Sequence, residues 1–405
     1  MNWSKKRLSV VLFLAGSLLV FSVLAVSLWL VLRSSEPLEP PLPDLSGVDP
    51  EVVEEITAAR GRVRNLPQGS VWGRAGMVFL AHDFHEEAQR CFEQAERLDP
   101  SNGCWPYLRG LSLVMTDPEA GTSCLKRAAE RCGDDPLAPR LRLAETLLNQ
   151  GQLDEAARHL ERAEKVEPEN PRVQLGLGRL ALLRGQWETA LERLHPCTND
   201  VHARRLAHTL RAEALSRLGQ PDKAREEQAL AAKLPEDQLW LDPFMEEVLG
   251  FRRGLSIRLQ RANDLFAHQQ YPQAVELLEE TVQRYPRSTA ARLRLGEVYR
   301  LLGRGEQAEQ MFAEAVRIDP ESADAWFRLG CMQGARGRSR DAAESFRKTI
   351  AFKSDHADAH FNLGQCLKEV GDAAGAAEEF RAALRCRPDH ERARQELRAM
   401  EKKSG

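Results

Sequence analysis

A period of 34 residues, held in one register through most of the chain, leaves few folds open to this sequence. Blocks begin at Gly69, Gly103, Leu137, Pro171 and Arg205, and after a 16-residue interruption they resume at Leu255, Thr289, Ala323 and Ala357. The eighth residue of every block is small: Gly76, Gly110, Ala144, Gly178, Ala212, Ala262, Gly296, Gly330 and Gly364. The twentieth is alanine in eight of the nine, with Ala88, Ala190, Ala308 and Ala342 among them. A unit of this length cannot bury its apolar face alone and must stack on its neighbours. The expected product is an extended interaction surface, not a single closed active site.

Within the block at Gly69, Trp72, Gly76 and Phe79 lie on one face of a first helix, and Ala88, Phe92 and Ala95 on one face of a second. A turn near His82-Asp83 separates the helices, and Asp99-Pro100 ends the second. Two helix axes that cross closely admit only Gly or Ala at the crossing, which accounts for the small eighth and twentieth positions. Phe92, Leu160, Phe312, Phe346 and Phe380 are the expected fillers between repeats. Glycine at the fifteenth position (Gly151, Gly185, Gly219, Gly303, Gly337, Gly371) is expected to break the first helix. The second block departs, its alanine coming early at Ala120, and the fifth lacks the final proline at its usual place.

The N-terminal segment is a separate matter. Leu8–Leu32 is 25 residues without a charge, and as a helix it would be roughly 37 Å long, enough to cross a ~30 Å hydrocarbon core. Lys5, Lys6 and Arg7 precede it, while Arg33 is followed by Glu36, Glu39 and Asp44. That asymmetry predicts a cytoplasmic N-terminus and an exported array. Trp3 and Trp29 stand near the two ends. A cleaved secretory signal would have a shorter apolar region and a small-residue cleavage site. Residues 1–33 are therefore read as an uncleaved anchor and 34–49 as a proline-rich spacer. Residues 50–68 form a half-repeat helix capped by Asp49, with Val52, Ile56, Ala59 and Val63 on its apolar stripe.

The remaining organisation is five repeats over 69–238, an insertion at 239–254, four repeats over 255–390 and a polar closing helix over 391–405. In the insertion Asp242 is expected to cap a short helix starting at Pro243, serving either as a joint filler or as a lid whose aromatic residues approach a ligand. The phase break there is expected to bend or reset the superhelix.

The pattern Trp72-x2-Ala-Gly76-x2-Phe79…Ala88-x3-Phe92-x2-Ala95…Pro100 resembles the tetratricopeptide repeat, and so does Trp326-Phe327-Arg328-Leu329-Gly330…Ala342…Phe346. The resemblance spans Gly69 to His390 and implies an all-α, right-handed α-solenoid. It implies a concave groove lined by first-helix residues, with extended peptides or helices as ligands. At the sixth position these are Arg74, Arg142, Arg294, Arg328 and Asn362; at the ninth, Met77, Glu145, Arg179, Glu213, Asn263, Glu297 and Gln365. Arg294, Arg328 and Asn362 would form a row suited to carboxylate or backbone contacts, unless they are solvated or paired locally with Glu297. Leu293, Phe327 and Phe361 hold the fifth position, where the family's carboxylate clamp has lysine; exposed on the groove, they would favour an apolar or amphipathic peptide.

Chemistry is not legible elsewhere. There is no Gly-rich phosphate loop, no H-E-x-x-H and no appended catalytic domain, so neither an enzyme nor a cofactor is expected. His356/His360 and His82/His85 are read as ordinary loop and turn residues, not metal ligands. A net charge of −3, with both signs mixed, does not fit a nucleic-acid binder, and no small-molecule substrate is expected. Eight cysteines without a C-x-x-C pair are read mainly as small buried hydrophobes, with Cys104/Cys132 and Cys331/Cys366 as spatial neighbours. The reading is a membrane-anchored, non-catalytic scaffold for protein or peptide partners. Alternatives are an assembly factor or chaperone for envelope proteins or cytochrome maturation, and a non-catalytic subunit of an enzyme complex.

Overall fold

The computed structural model describes residues 39–404, the last four as backbone only. The expected anchor and the first residues of the spacer lie outside the described residues. Among those described, no helix is long and apolar enough to cross a membrane. All regular structure among them is helical. The chain divides into two compact units, one ending at Arg252 and the other starting at Arg253.

The first unit opens with the helix Pro50–Asn65, whose Asp49 side chain accepts from the Glu51 amide. Val52, Ile56, Ala59 and Val63 are buried on the next helix, Gly69–Ala81, as the stripe predicts. Five antiparallel pairs follow, from Gly69–Ala81 with His85–Leu98 to Arg204–Arg217 with Pro221–Lys233. The fourth pair's second helix, Trp187–Leu194, is short because Pro196 cannot continue it, and a 3-10 turn at Pro196–Asn199 takes over. The second unit has four pairs between Leu255 and Cys386, closed by Glu391–Ser404.

The small eighth position has the reason the sequence predicts. A Cβ at Gly76 would lie 2.6 Å from the Phe92 ring, at Gly296 2.6 Å from Phe312, at Gly330 2.8 Å from Phe346 and at Gly364 2.7 Å from Phe380. The fifteenth position is left-handed in every block that has glycine there, from Gly151 (φ 74°) to Gly371 (φ 89°). In the first and sixth blocks Asp83 (φ 65°) and Gln269 (φ 59°) take that conformation without being glycine. The turn geometry therefore belongs to the repeat and is imposed even where the residue disfavours it.

The second block corrects one expectation. Its small crossing residue is Gly121, not Ala120: a Cβ there would meet the Val114 backbone at 2.8 Å, whereas Ala120 is only half-buried. The turn before Pro118 is one residue short, so the whole second helix advances by one. Leu125, rather than Lys126, then packs on Gly110, at 2.9 Å from its added Cβ.

The last three first helices of the second unit and its closing helix share a capping position. Ser288 accepts from the Ala291 amide and Ser322 from Ala325. His356 and His390 do the same through Nδ1, to Ala359 and Ala393, each at 3.2 Å. All eight cysteines are free thiols, and Cys91, Cys104, Cys124, Cys197 and Cys366 are buried. Burial pushes Cys331 and Cys366 each up to about 11.

Candidate functional site

The insertion folds into a segment that lies on the first unit's own first helices. Asp242 caps the helix Pro243–Gly250, its Oδ1 accepting from the Phe244 and Met245 amides at 3.1 and 3.0 Å. That helix packs on Gly69–Ala81 and Cys104–Leu113, the first helices of blocks one and two. Going along the segment, the chain crosses the repeats in reverse order. The Gln238 amide bonds to the Val201 carbonyl, and Asp237 caps Arg204–Arg217 by accepting from the Arg205 and Leu206 amides at 2.8 and 2.9 Å. Trp240 stacks on His202 with ring centroids 4.9 Å apart, and the Arg172 guanidinium lies 5.9 Å from its ring. Phe244 meets the Tyr107 ring at 5.4 Å, Glu247 faces Arg74 at 3.7 Å, and His82 Nε2 donates to the Phe251 carbonyl at 3.2 Å.

The centre of this site is the buried bond from Tyr107 Oη to Asp242 Oδ2, 2.6 Å long, which joins residues 135 positions apart. Asp242 is 4% exposed, and both of its oxygens are engaged. Burial, with Asp242 beside it, pushes the Tyr107 phenol well above its usual range, while Arg142 and Arg172 oppose that shift. Behind it lies a charged floor. Arg172 grips Glu145 with both prongs, Nε to Oε1 at 2.7 Å and Nη2 to Oε2 at 3.1 Å, and Arg142 adds a bond of 3.1 Å. Burial alone would raise the Glu145 carboxyl; Arg172, Arg142 and Arg179 overcome it and hold the group below its ordinary range. Beyond Phe251 a cavity of about 360 Å³ remains, walled by Ala59, Leu66, Val71, Arg74, Ala75 and Val78.

The sixth and ninth positions divide between two roles. In the first unit Arg74 contacts the segment, Arg142 and Glu145 build the floor, and Arg179 bonds Asn149 at 2.8 Å. Met77 is 1% exposed and belongs to the core, which removes it from the groove row. Glu213 is exposed, and so is Asn263 of the second unit.

In the second unit Arg328, Asn362 and Gln365 are bound up internally. Arg328 bridges Glu297 and Asp324, both at 3.0 Å, and Arg300 bonds Glu297 at 2.6 Å. Arg300 first, then Arg328 and Arg294, keep the Glu297 carboxyl low. Asn362 points to the Cys331 sulfur at 3.8 Å, and Gln365 donates to Glu396 at 3.0 Å. Arg294 is exposed.

The fifth-position side chains are not the exposed apolar row expected. Phe361 is 2% exposed, between Phe380 at 5.7 Å and the capping His390 at 4.9 Å. Phe327 sits the same way between Phe346 at 5.8 Å and His356 at 4.5 Å, and Leu293 is partly buried against the core. The histidine that caps the following helix covers each ring, so Phe327 joins one repeat to the next and Phe361 joins the last repeat to the closing helix. His360 is likewise built in, with Nδ1 2.6 Å from Glu379 and Nε2 3.1 Å from the Ser354 carbonyl. Among the described residues no three His, Cys, Asp or Glu side chains gather to hold a metal ion.

Tyr107, Arg172 and Trp240 do not stand out in the sequence as one site. The available signal is Tyr107 at the same fifth position as Phe327 and Phe361, with an acidic Asp242-Pro243 cap outside the register.

Three models of the tetratricopeptide repeat match the chain, at residues 147–214, at 205–227, and at 259–323 with 327–391, together just over half of it. No curated protein matches. Among solved structures, the crystal structure of MamA is 22% identical with a TM-score of 0.35, covering 36% of this chain and 84% of that one. The first repeat domain of Spaghetti (RPAP3), bound to an HSP90 peptide, is 15% identical with a TM-score of 0.28 and coverages of 28% and 90%. YrrB, a TPR protein with an unusual peptide-binding site, is 14% identical with a TM-score of 0.27 and coverages of 68% and 99%.

Proposed function

We propose, from the premise that this chain belongs to the tetratricopeptide-repeat family, that it is a non-catalytic scaffold that binds protein partners on its first helices. The observation that carries this reading is the seating of residues 238–251 on the first unit. A peptide segment outside the repeat register is held there by a buried carboxylate, stacked rings and an arginine–glutamate contact. A surface that recognises one such segment has the chemistry to recognise a partner's. The uncharged run Leu8–Leu32 and its flanking charges support a single-pass anchor that places the array on the exported side.

Two experiments test the parts separately. A photo-crosslinking residue placed at Arg74, on the first-helix face, should give discrete partner adducts in native membranes. The same residue at Glu130, exposed on a second helix, should give none. Equal adducts from both sites would remove the groove from the reading. Protease added to sealed cytoplasmic-side-in membranes should digest the array, and full protection there would reverse the topology.

A further inference from the structure

We infer that the face holding residues 238–251 is exchangeable, and that its external partner is an acidic amphipathic helix with the chemistry of that segment. This means an aspartate N-cap, an aromatic residue two positions on and a glutamate–valine pair one turn later, as in Asp242, Phe244, Glu247 and Val248. The inference rests on the scaffold reading above and adds the class of partner and the way access to it is controlled.

Three features separate this segment from the repeats around it. It has no periodic partner, and its helix of eight residues is too short to persist in water unaided, so the groove contacts hold it in shape. Its attachment is also incomplete. Val248 is 1% exposed, but Leu239 and Leu241 stand 82% and 52% exposed on the approach. Finally, the site it occupies is larger than the segment fills. The cavity beside Phe251 is lined mostly by apolar side chains, together with Arg62, Asn65 and Arg74. A partner with a bulkier apolar residue at that end would gain contacts that the chain's own segment leaves unused.

The chemistry of the site selects the partner's charge. Arg74 meets the glutamate, Tyr107 donates to the capping carboxylate, and Arg142 and Arg172 stand behind that bond. A basic or neutral helix would leave Arg74 and the Tyr107 hydroxyl without their counterpart, since Arg142 and Arg172 are already paired with Glu145. The resident segment is joined to the array through residues 234–237, so it competes at an effective concentration on the order of millimolar. The apparent affinity for an outside helix falls by the fraction of time the face is vacant. The segment is thereby a gate as well as a template.

The test uses the full chain in detergent and a fluorescein-labelled synthetic peptide with the sequence of residues 238–252. Asp242→Ala in the chain removes both the cap and the Tyr107 bond of the resident segment, while the peptide keeps its aspartate. The expected result is at least tenfold tighter peptide binding by Asp242→Ala than by wild type. That gain should be lost when Tyr107→Phe is added, or when the peptide itself lacks the aspartate. Equal affinity in wild type and variant, or no binding by either, overturns the inference. Self-association of the variant that peptide does not reverse assigns the face to a second copy and also overturns it.

A measurement on wild type alone guards against a misfolded variant. Saturating peptide should speed amide exchange across residues 243–250, and unchanged protection there counts against exchange. Partner adducts at Arg74 in membranes together with no peptide exchange would leave the scaffold reading standing and this inference refuted.

Discussion

The two units are built from one repeat but spend their first-helix surface differently. In the second, the fifth-position rings Phe327 and Phe361 are covered by the histidine caps of the following helices, and the sixth-position Arg328 is paired with the ninth-position Glu297. In the first, the fifth-position Tyr107 keeps a hydroxyl, and that hydroxyl is satisfied by a residue from outside the array. At this repeat position the phenyl rings are covered by a neighbouring helix cap, whereas the phenol takes its acceptor from outside the array. A buried hydroxyl without an acceptor is costly; a phenyl ring has no such need.

The largest effect is expected at the charged floor of the first unit. Arg172→Met leaves the half-buried Glu145 without its main counter-charge, which should cost up to about 3–5 kcal/mol and be seen as lost exchange protection across Ala138–Asn149. The Glu145 carboxyl is held below its unfolded value of about 4.3. Its contribution is therefore fully present above that value and lost as pH falls through the folded pKa. The gap between wild type and Arg172→Met should narrow as the solution is acidified. A gap that stays constant with pH would show that the arginine acts by packing alone.

In the second unit the comparable effect comes from packing. Gly330→Leu drives a side chain into the Phe346 ring, 2.8 Å from the first added carbon, and should cost about 1–3 kcal/mol. Thermal unfolding of the full chain, with exchange protection across Ala323–Ala335, measures it. If Gly330→Leu is tolerated without a shift, the close crossing is not what keeps this position small.

The pH dependence of the second unit should have the opposite sign. Both ring nitrogens of His360 face acceptors, Glu379 and the Ser354 carbonyl, and only the imidazolium can donate to both. The Glu379 hydrogen bond accordingly raises the His360 pKa, with burial opposing. The stability it adds is complete below the ordinary histidine value of about 6.5 and disappears as pH rises through the folded pKa. Protection across Ala357–Glu369 should therefore fall in mild alkali in wild type but not in His360→Gln. His356 supplies the internal control: burial lowers its pKa, and its Nδ1 accepts a hydrogen bond, so the neutral ring suffices there.

What can be read in the sequence follows from how far apart the contacting residues lie. Gly330 and Phe346 are in one block, and the repetition of that pair down the chain is enough to announce the crossing. The Asp242 cap is equally local. The advance of the second block by one residue shows in the sequence only as a missing alanine; Gly121 takes its place because the preceding turn is one residue short. The fifth-position rings look like groove residues in isolation, since what covers them is the following helix's histidine cap, at the position where earlier repeats have Ser288 and Ser322. The Tyr107–Asp242 pair is beyond the period's reach altogether. A repeat register predicts contacts within and between neighbouring blocks, and carries no information about where an aperiodic segment docks.

The smallest effect tests the feature common to both units. Asp83 and Gln269 hold the left-handed turn that glycine holds in most other blocks. For a residue with a Cβ that conformation costs roughly 1–2 kcal/mol, while glycine at the same place loses about 0.5–1 kcal/mol more chain entropy on folding. Gln269→Gly should thus stabilise the sixth block slightly, by no more than about 1 kcal/mol, and Gly303→Ala in the next block should do the reverse by a similar amount. Asp83→Gly is expected to gain less, because the short carboxylate side chain tolerates the left-handed region better than glutamine does. Denaturant unfolding of the three variants under identical conditions ranks them. If Gln269→Gly proves no more stable than wild type, the neighbouring helices already meet the cost of the turn, and the prevalence of glycine at this position must come from something other than backbone strain.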